Sequence, residues 1–422
     1  MHIVENADEL RAYLSTHLRS GDGIVVPQAA GEPFPLAEAL LDVGIVVPDL
    51  QCFVGLMLST HWTSVTELPF GVDCVGALGS TRKLVGSGQA IVKPVQLHQI
   101  PGLLRSGDIA SDVVFIQVTP RDSNGNHSLG VTADYVHAAM ERARLVVAEI
   151  NSAMPWTHGD TLVDSRSIDC AIETSRELPT VPAAHATEID VQIGRHVAGL
   201  VEDRAVLQIG IGAVPEAILK NLTHVKDLGI HSGLIGDGLM NLVRQGVVTN
   251  RYKPIDPGKS VTGVLMGSHE LYAWAEGNDE LSLRSANHTH SVRILSQLPT
   301  LTTVNSAVEV DLTGQVNAEM AGNRYVGAVG GQVDFVRAGT LAEDGKSIIA
   351  LTSRTGNGQS KIVPRISSAT VTSLRTDVEY VVTEYGAARL LGCNLEERTR
   401  RMISIAHPDD RDSLEREAQG LW

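Results

Sequence analysis

The chain has 422 residues, 43% of them hydrophobic, 20% charged and only 4% aromatic, with 40 glycines and 17 prolines. That length suits two or three domains, each able to bury a core without disulfide or metal staples. The formal charge of -15 is spread without long runs of either sign, which speaks against a nucleic-acid partner, since such partners select a basic face. Cys52, Cys74, Cys170 and Cys393 form no CxxC pair and no Cys/His cluster, so neither a disulfide framework nor a metal site is expected, and a reducing cytoplasm is the natural compartment. The polar, acidic start MHIVENADEL does not read as a secretion signal, and no apolar stretch reaches the roughly 20 residues needed to span a bilayer.

In chain order, Gly21-Asp-Gly-Ile-Val-Val followed by Pro35-Leu-Ala-Glu-Ala-Leu-Leu reads as strand, turn and helix. Asp112-Val-Val-Phe-Ile-Gln-Val is an unbroken apolar run, the mark of a strand in a sheet covered on both faces. Ala133 to Arg142 has a helical pattern, and Arg144-Leu-Val-Val-Ala-Glu-Ile repeats the buried-strand signature. Two prolines and small residues in Glu177-Leu-Pro-Thr-Val-Pro-Ala-Ala-His-Ala-Thr interrupt all periodicity, and a helical pattern restarts near Glu188. This linker divides the chain into an α/β domain over 1–183 and a second over 184–422. Ala205 to Leu219 is again strand, glycine turn and helix, and Ser347-Ile-Ile-Ala-Leu and Val378-Glu-Tyr-Val-Val-Thr are later strands. Strands alternating with helices predict α/β architecture with two tandem open, mainly parallel sheets.

Three glycine-rich segments can carry chemistry. In Gln208-Ile-Gly-Ile-Gly-Ala-Val-Pro, a strand ends at Gly210 and Pro215 suits the first turn of a helix. A backbone able to approach a ligand, with N–H groups exposed at a helix start, makes either an anion or oxyanion site around Ile211 or simply a tight turn. The third glycine of a dinucleotide fingerprint is absent, as is any GxxxxGK[ST] loop. The second segment, Val326-Gly-Ala-Val-Gly-Gly-Gln-Val-Asp-Phe, reads as a ligand loop or a structural bulge, with Lys361 of the Arg354–Lys361 loop available for a phosphate. The third, Leu228-Gly-Ile-His-Ser-Gly-Leu-Ile-Gly-Asp-Gly, holds His231 and Asp237 and reads as a catalytic loop or a flexible turn. His288 and His290 have a spacing open to metal ligation, but with no third ligand they read as solvated loop residues. No GxSxG elbow supports a serine hydrolase, and the cysteines read as packing residues.

Taken together, these segments resemble the acetyl-CoA hydrolase/CoA-transferase family, close to its 4-hydroxybutyrate and acetate CoA-transferases. The resemblance runs nearly end to end, through Gly31-Glu-Pro, Thr119-Pro-Arg-Asp-Ser-Asn-Gly-Asn-His-Ser-Leu-Gly, Glu149-Ile-Asn-Ser-Ala-Met-Pro-Trp and the glycine turn at 208–215. It continues through Asp227-Leu-Gly-Ile-His, Val310-Asp-Leu-Thr-Gly-Gln-Val, the segment 326–335, Ser360-Lys-Ile-Val-Pro, Val381-Val-Thr-Glu-Tyr-Gly and Ile405-Ala-His-Pro. It implies an enzyme that handles coenzyme A as an acyl-CoA substrate, with CoA held mainly by the C-terminal half, a small carboxylate as second substrate, and a homodimer or higher homo-oligomer. It also implies a ping-pong mechanism, in which a glutamate attacks the acyl-CoA carbonyl and passes through an anhydride to a glutamyl-CoA thioester. The match assigns Gly210, Ile211, Gly212, Ala213 and Val214, with Gly330, Gly331, Gln332 and Lys361, to holding the cofactor and the oxyanion.

One position departs from the resemblance. Where the family carries its nucleophilic glutamate, this chain reads His231-Ser232-Gly233-Leu234, and without a carboxylate there is no glutamyl intermediate. Three readings are open. In the first, the protein hydrolyses, decarboxylates or cleaves a CoA-linked substrate without that intermediate, Gly233 leaving space for a water or a bulkier substrate group that His231 or Asp237 orients. In the second, it remains a true CoA-transferase with another carboxylate, Asp237 or Glu319, in place of the missing one. In the third, it is an inactive CoA-ester-binding protein.

Overall fold

The computed structural model describes residues 1–182 and 184–420. The sequence boundary at 183/184 therefore touches a residue outside the described ones. The chain divides into two compact units, the first made of Met1–Val181, Val261–Thr289 and Tyr325–Gly330, the second of Pro182–Ser260, His290–Arg324 and Gly331–Trp422.

Unit 1 is built on eight strands: β1 (His2–Val4), β2 (Gly23–Val26), β3 (Gln51–Val54), β4 (Gly71–Cys74), β5 (Ile91–Val92), β6 (Val113–Val118), β7 (Leu145–Asn151) and β8 (Cys170–Thr174). They lie in the order β1-β8-β7-β6-β2-β3-β4-β5, and every neighbouring pair is parallel. Every residue of β6 and β7 is buried. Alternate side chains feed two separate cores: Val113, Phe115 and Val147 on one face, Val114, Ile116 and Val146 on the other. That two-sided burial is why these strands read as unbroken apolar runs. Helices α1 (Ala7–His17) and α2 (Phe34–Val46) cover the first face, burying Leu10, Leu14, Leu36 and Leu40 in its core.

The helix expected over Ala133–Arg142 needs correction. It contracts to α3, the five residues Val136–Met140. The chain before it is extended because Ala133 donates to the Gly263 carbonyl at 2.9 Å and Asp134 accepts from the Ala286 N–H at 2.8 Å. Backbone groups already paired to distant segments are not available to a helix.

The main sheet of unit 2 has six strands: β9 (Val206–Ile209), β10 (Gly229–Ile230), β11 (Leu301–Asn305), β12 (Lys346–Ala350), β13 (Tyr380–Thr383) and β14 (Gly386–Arg389). Their order is β10-β9-β11-β12-β13-β14, parallel throughout except for the antiparallel β13–β14 edge pair. The helices of this unit include α4 (Glu188–Ala198), α5 (Ala213–Lys220), α6 (Asp237–Arg244) and α7 (Gln332–Leu341). A capping box between Thr187 and Asp190 starts α4, so the helical pattern restarting near Glu188 forms as read. Phe335 of α7 packs in a cluster with Val206, Leu295, Leu298 and Leu301 beneath the sheet. Among the described residues, no helix is long and apolar enough to cross a membrane.

Candidate active site

β9 runs between β10 and β11 in the unit 2 sheet, and the glycine turn leaves its carboxyl end, the place where open α/β sheets present ligands. Gly210 is exposed, and a β-carbon built there meets nothing within 4 Å. Gly212 adopts φ 123° and ψ -178° at the start of α5, a conformation essentially closed to residues with a side chain. No side chain caps α5. Its first N–H groups, on Ala213 and Val214, therefore stand at the turn, while Pro215 in the same helical turn offers none.

The segment after β10 is tightly held. The Ile230 N–H donates to Asn250 Oδ1 at 2.8 Å, and the Ile230 carbonyl accepts from Lys253 Nζ at 2.8 Å. Lys253 Nζ also donates to the Lys259 carbonyl at 2.6 Å. Desolvation lowers this ammonium from its usual value to about 7, against the opposing charge of Asp256. Sequence reasoning missed Lys253, because nothing in Arg251-Tyr-Lys-Pro marks a buried lysine. The next residue after β10, His231, is fully buried and donates its N–H to the Leu207 carbonyl at 3.1 Å. Ser232 Oγ donates to the Ile209 carbonyl at 3.2 Å. The His231–Gly233 stretch therefore runs alongside the end of β9, next to the glycine turn. Asp237 opens α6, where an acidic side chain suits the helix N-terminus. Burial raises the Glu216 carboxyl of α5, and Asp237 pushes it the same way against Lys220.

Gly233 and Gly331 converge on one side chain. A β-carbon at 233 would lie 2.6 Å from His290 Nε2 and 2.8 Å from its Cε1, with Phe335 Cε2 next at 3.5 Å. A β-carbon at 331 would lie 2.5 Å from the same Nε2, with Phe335 Cε2 at 3.2 Å. Real β-carbons do not approach so closely, so a side chain at either position would require the imidazole to shift. The expectation that Gly233 leaves room for a water or a larger substrate group is corrected here: His290 fills it. The reading of His290 as a solvated loop residue is corrected as well, since it is 2% exposed. Its ring lies 4.8 Å from that of Phe335, centroid to centroid, at 54°.

The remaining expected residues have these surroundings. Gly331 precedes α7 without a side-chain cap, and Gln332, the first residue of that helix, donates from Nε2 to Ser373 Oγ at 3.2 Å. Within unit 1, Gly330 has φ 54°, and its carbonyl accepts from the Leu97 N–H at 3.0 Å. The Lys361 ammonium is lowered by burial, with Glu384 opposing the shift. Its backbone is fixed on both sides, N–H to the Ser353 carbonyl and carbonyl to the Val310 N–H, each at 2.8 Å. Arg354, at the other end of that loop, pairs with Asp410 at 2.6 Å and with Asp409 at 3.3 Å. Glu319 accepts from Thr372 Oγ1 at 2.7 Å. The three heavy atoms nearest a β-carbon at 233 belong to His290 and Phe335, not to a carboxylate. Burial pushes the thiols of Cys74 and Cys170 up to about 11 and that of Cys52 higher still, which suits packing rather than nucleophilic attack.

Parallel sheets with a glycine turn leading into an uncapped helix place the chain among the α/β folds, which as a class present ligands at strand carboxyl ends. Residues 73–182 match the acetyl-CoA hydrolase/transferase N-terminal domain, and residues 267–418 match the acetyl-CoA hydrolase/transferase C-terminal domain. The 4-hydroxybutyrate coenzyme A transferase of Clostridium kluyveri is 38% identical over 398 residues, covering 93% of this chain and 92% of that relative. RipA from Yersinia pestis superposes with a TM-score of 0.93 at 31% identity, over 99% of this chain and 97% of that one. The 4-hydroxybutyrate CoA-transferase of Porphyromonas gingivalis superposes with a TM-score of 0.83 at 30% identity, over 100% and 98%. The chain belongs to the acetyl-CoA hydrolase/transferase family, a family of enzymes.

Proposed function

We propose that this protein processes an acyl-CoA thioester without an enzyme-bound glutamyl-CoA intermediate, with hydrolysis as the leading reaction and decarboxylation or C–C cleavage of a CoA-linked substrate in the same class. One observation carries the reading: at position 233 a β-carbon meets His290 Nε2 at 2.6 Å, so the loop as packed has no room for a nucleophilic side chain. The N–H groups of Ala213 and Val214 beside Gly210–Gly212 would stabilise the oxyanion, and Gln332 and the partly desolvated Lys361 would meet the CoA moiety. His231 and Asp237 stand on either side of Gly233 as polar participants. Four free cysteines, three of them buried, suit a reducing cytoplasm, and a homo-oligomer is part of the same proposal, by analogy with the family.

The names of the relatives support a second reading, CoA transfer to a carboxylate using Asp237 or Glu319 in place of the glutamate. One assay separates the two. The protein is incubated with a panel of acyl-CoAs while free thiol is followed, then trapped with hydroxylamine or borohydride. Thiol release with no adduct is expected. An adduct on a carboxylate would sink the first reading in favour of transfer, and CoA binding without turnover would leave a binding protein.

A further inference from the structure

We propose that a cavity within unit 2, built by residues other than those of the glycine turn, binds a phosphate-bearing anion of nucleotide size. The cavity has a volume of about 410 Å³, in the range of small-molecule sites, and is lined by Arg365, Val371, Arg375, Leu395 and the turn at 311–315. That turn hangs from a small sheet of its own, in which Glu309–Asp311 pairs with Val316–Asn317 and with Ile362–Val363. Asp311, the carboxylate of the lining, is 1% exposed and already engaged. It accepts from the Thr313 N–H at 2.9 Å, Thr313 Oγ1 at 2.7 Å, the Gln315 N–H at 3.1 Å and Gln315 Nε2 at 2.8 Å. Four donors blunt this charge, so it holds the turn rather than repelling an anion.

The basic side chains have no such compensation. Arg398 is 9% exposed, and its guanidinium donates to backbone carbonyls alone: Thr313 at 2.9 Å, Arg375 at 2.8 Å and Cys393 at 3.4 Å. Burial lowers this group, with Cys393 opposing the shift and the like charge of Arg375 adding to it. Among the described residues, the exposed Arg375 side chain has neither an ion pair nor a hydrogen bond. Neighbouring guanidinium groups without a carboxylate partner attract an anion, and their forked donors match phosphate oxygens. The wall that carries Arg375 is preformed. Ser373 Oγ accepts from Gln332 Nε2 of α7 at 3.2 Å, and the Asp377 carboxylate pairs with Arg337 at 3.0 Å. The Asp377 carbonyl also accepts from Thr340 Oγ1 at 2.7 Å, which straps the segment to α7 on both sides of the arginine. Val371 is 39% exposed and Leu395 36%. They set apolar surface beside the charge, which suits an organic phosphate over the inorganic ion.

The test titrates ADP into the full chain by calorimetry, with wild type, Arg375→Gln and Val371→Glu compared and thermal melting measured alongside. Wild type is expected to bind ADP, and to bind adenosine at least tenfold more weakly. Arg375→Gln should weaken ADP about tenfold or more, the usual effect of losing a charged hydrogen bond, with unchanged melting. Val371→Glu, which adds a like charge from an exposed position, should do the same and serves alone if Arg375→Gln does not fold. A repeat with saturating CoA separates two sources of the phosphate. ADP that still binds marks a free nucleotide as the ligand. ADP that is excluded, with CoA itself weakened about tenfold by Arg375→Gln, marks the nucleotide end of CoA. A wild-type protein that binds no ADP at millimolar concentration overturns the site, as does an affinity that both variants leave intact. Adenosine binding as tightly as ADP overturns the phosphate class. Each readout is binding rather than turnover, so these failures leave the acyl-CoA reading untouched.

Discussion

Gly210 and Gly233 lie in adjoining segments of the same unit, yet a methyl group at each meets opposite surroundings: nothing within 4 Å at the first, His290 Nε2 at 2.6 Å at the second. Gly330 and Gly331, consecutive in the chain, repeat the contrast. Gly330 has φ 54° and nothing within 4 Å of a β-carbon, whereas Gly331 lacks a positive φ and is blocked by the same histidine. The open glycines answer to backbone shape and access; the closed ones answer to a neighbour that needs their space. Gly229 belongs with the closed set, since a β-carbon there would lie 2.9 Å from Cγ and Cδ of Lys253. At 229, 233 and 331 the intruding side chain is basic. Glycine in this region thus marks two different settings, an open backbone turn and a berth for a basic side chain.

The comparison breaks most readily at position 233. Gly233→Glu is expected to cost about 3 kcal/mol or more, because it overpacks the site and brings a carboxylate against a buried ring. Alone it should confer no CoA transfer to acetate. Gly233→Glu combined with His290→Ala makes room for the carboxylate and should show transfer, read by acetyl-CoA formation from a second acyl-CoA. Transfer by the single variant would mean that His290 yields easily and the closed class is illusory.

Gly331→Ala is expected to lower stability by about 1–3 kcal/mol in denaturant melts, the usual range for overpacking. A neutral outcome would reassign Gly331 to the open class with its neighbour.

Lys253 sharpens the comparison through pH. Its folded-state value of about 7 lies below the unfolded value of 10.5, so between them the unfolded chain binds the extra proton and stability rises with pH. The slope should approach about 1 kcal/mol per pH unit at most between pH 7 and pH 10. Below pH 7 the contribution is constant and unfavourable. Lys253→Met should flatten that rise in melts taken across this window, and an unchanged slope would show the ammonium to be solvated.

The smallest effect belongs to Gly210→Ala. With open space around the new methyl group, stability should stay within about 0.5 kcal/mol of wild type. If the turn cradles the substrate, KM for acyl-CoA should nevertheless rise severalfold. A normal KM would leave the turn a purely structural one.

Much of the fold was legible because burial writes itself into local pattern. β6 and β7 are apolar at nearly every position since both faces of their sheet are covered, and Pro215 after two glycines announces the turn into α5. The misread helix at 133–142 failed because its competitor is non-local: Ala133 and Asp134 bond to Gly263 and Ala286, and no short window of sequence contains those partners. The site was half legible for the same reason. Glycine-rich loops signal themselves, so Gly210–Gly212 and Gly330–Gly331 stood out, whereas His290 was set beside His288 by spacing. His288 lies within a four-residue helix, Ala286–Thr289, and His290 comes after it, turned into the interior beneath two glycines remote in the chain. A cue was present in retrospect, since two glycines without obvious turn chemistry can point to one bulky tenant.

The division of the chain also bears on how it is made. Unit 1 borrows Val261–Thr289 and Tyr325–Gly330 from far downstream. Ala77 donates its N–H to the Gly327 carbonyl at 2.8 Å, and Leu97 donates to Gly330 at 3.0 Å. A ribosome delivers residues in order and domains tend to fold as they emerge, yet these partners arrive only after much of unit 2 has been synthesised. The nascent first unit must therefore wait with part of its backbone still wet, and severing the chain at the proline-rich linker would give an N-terminal fragment missing those downstream strands and loops.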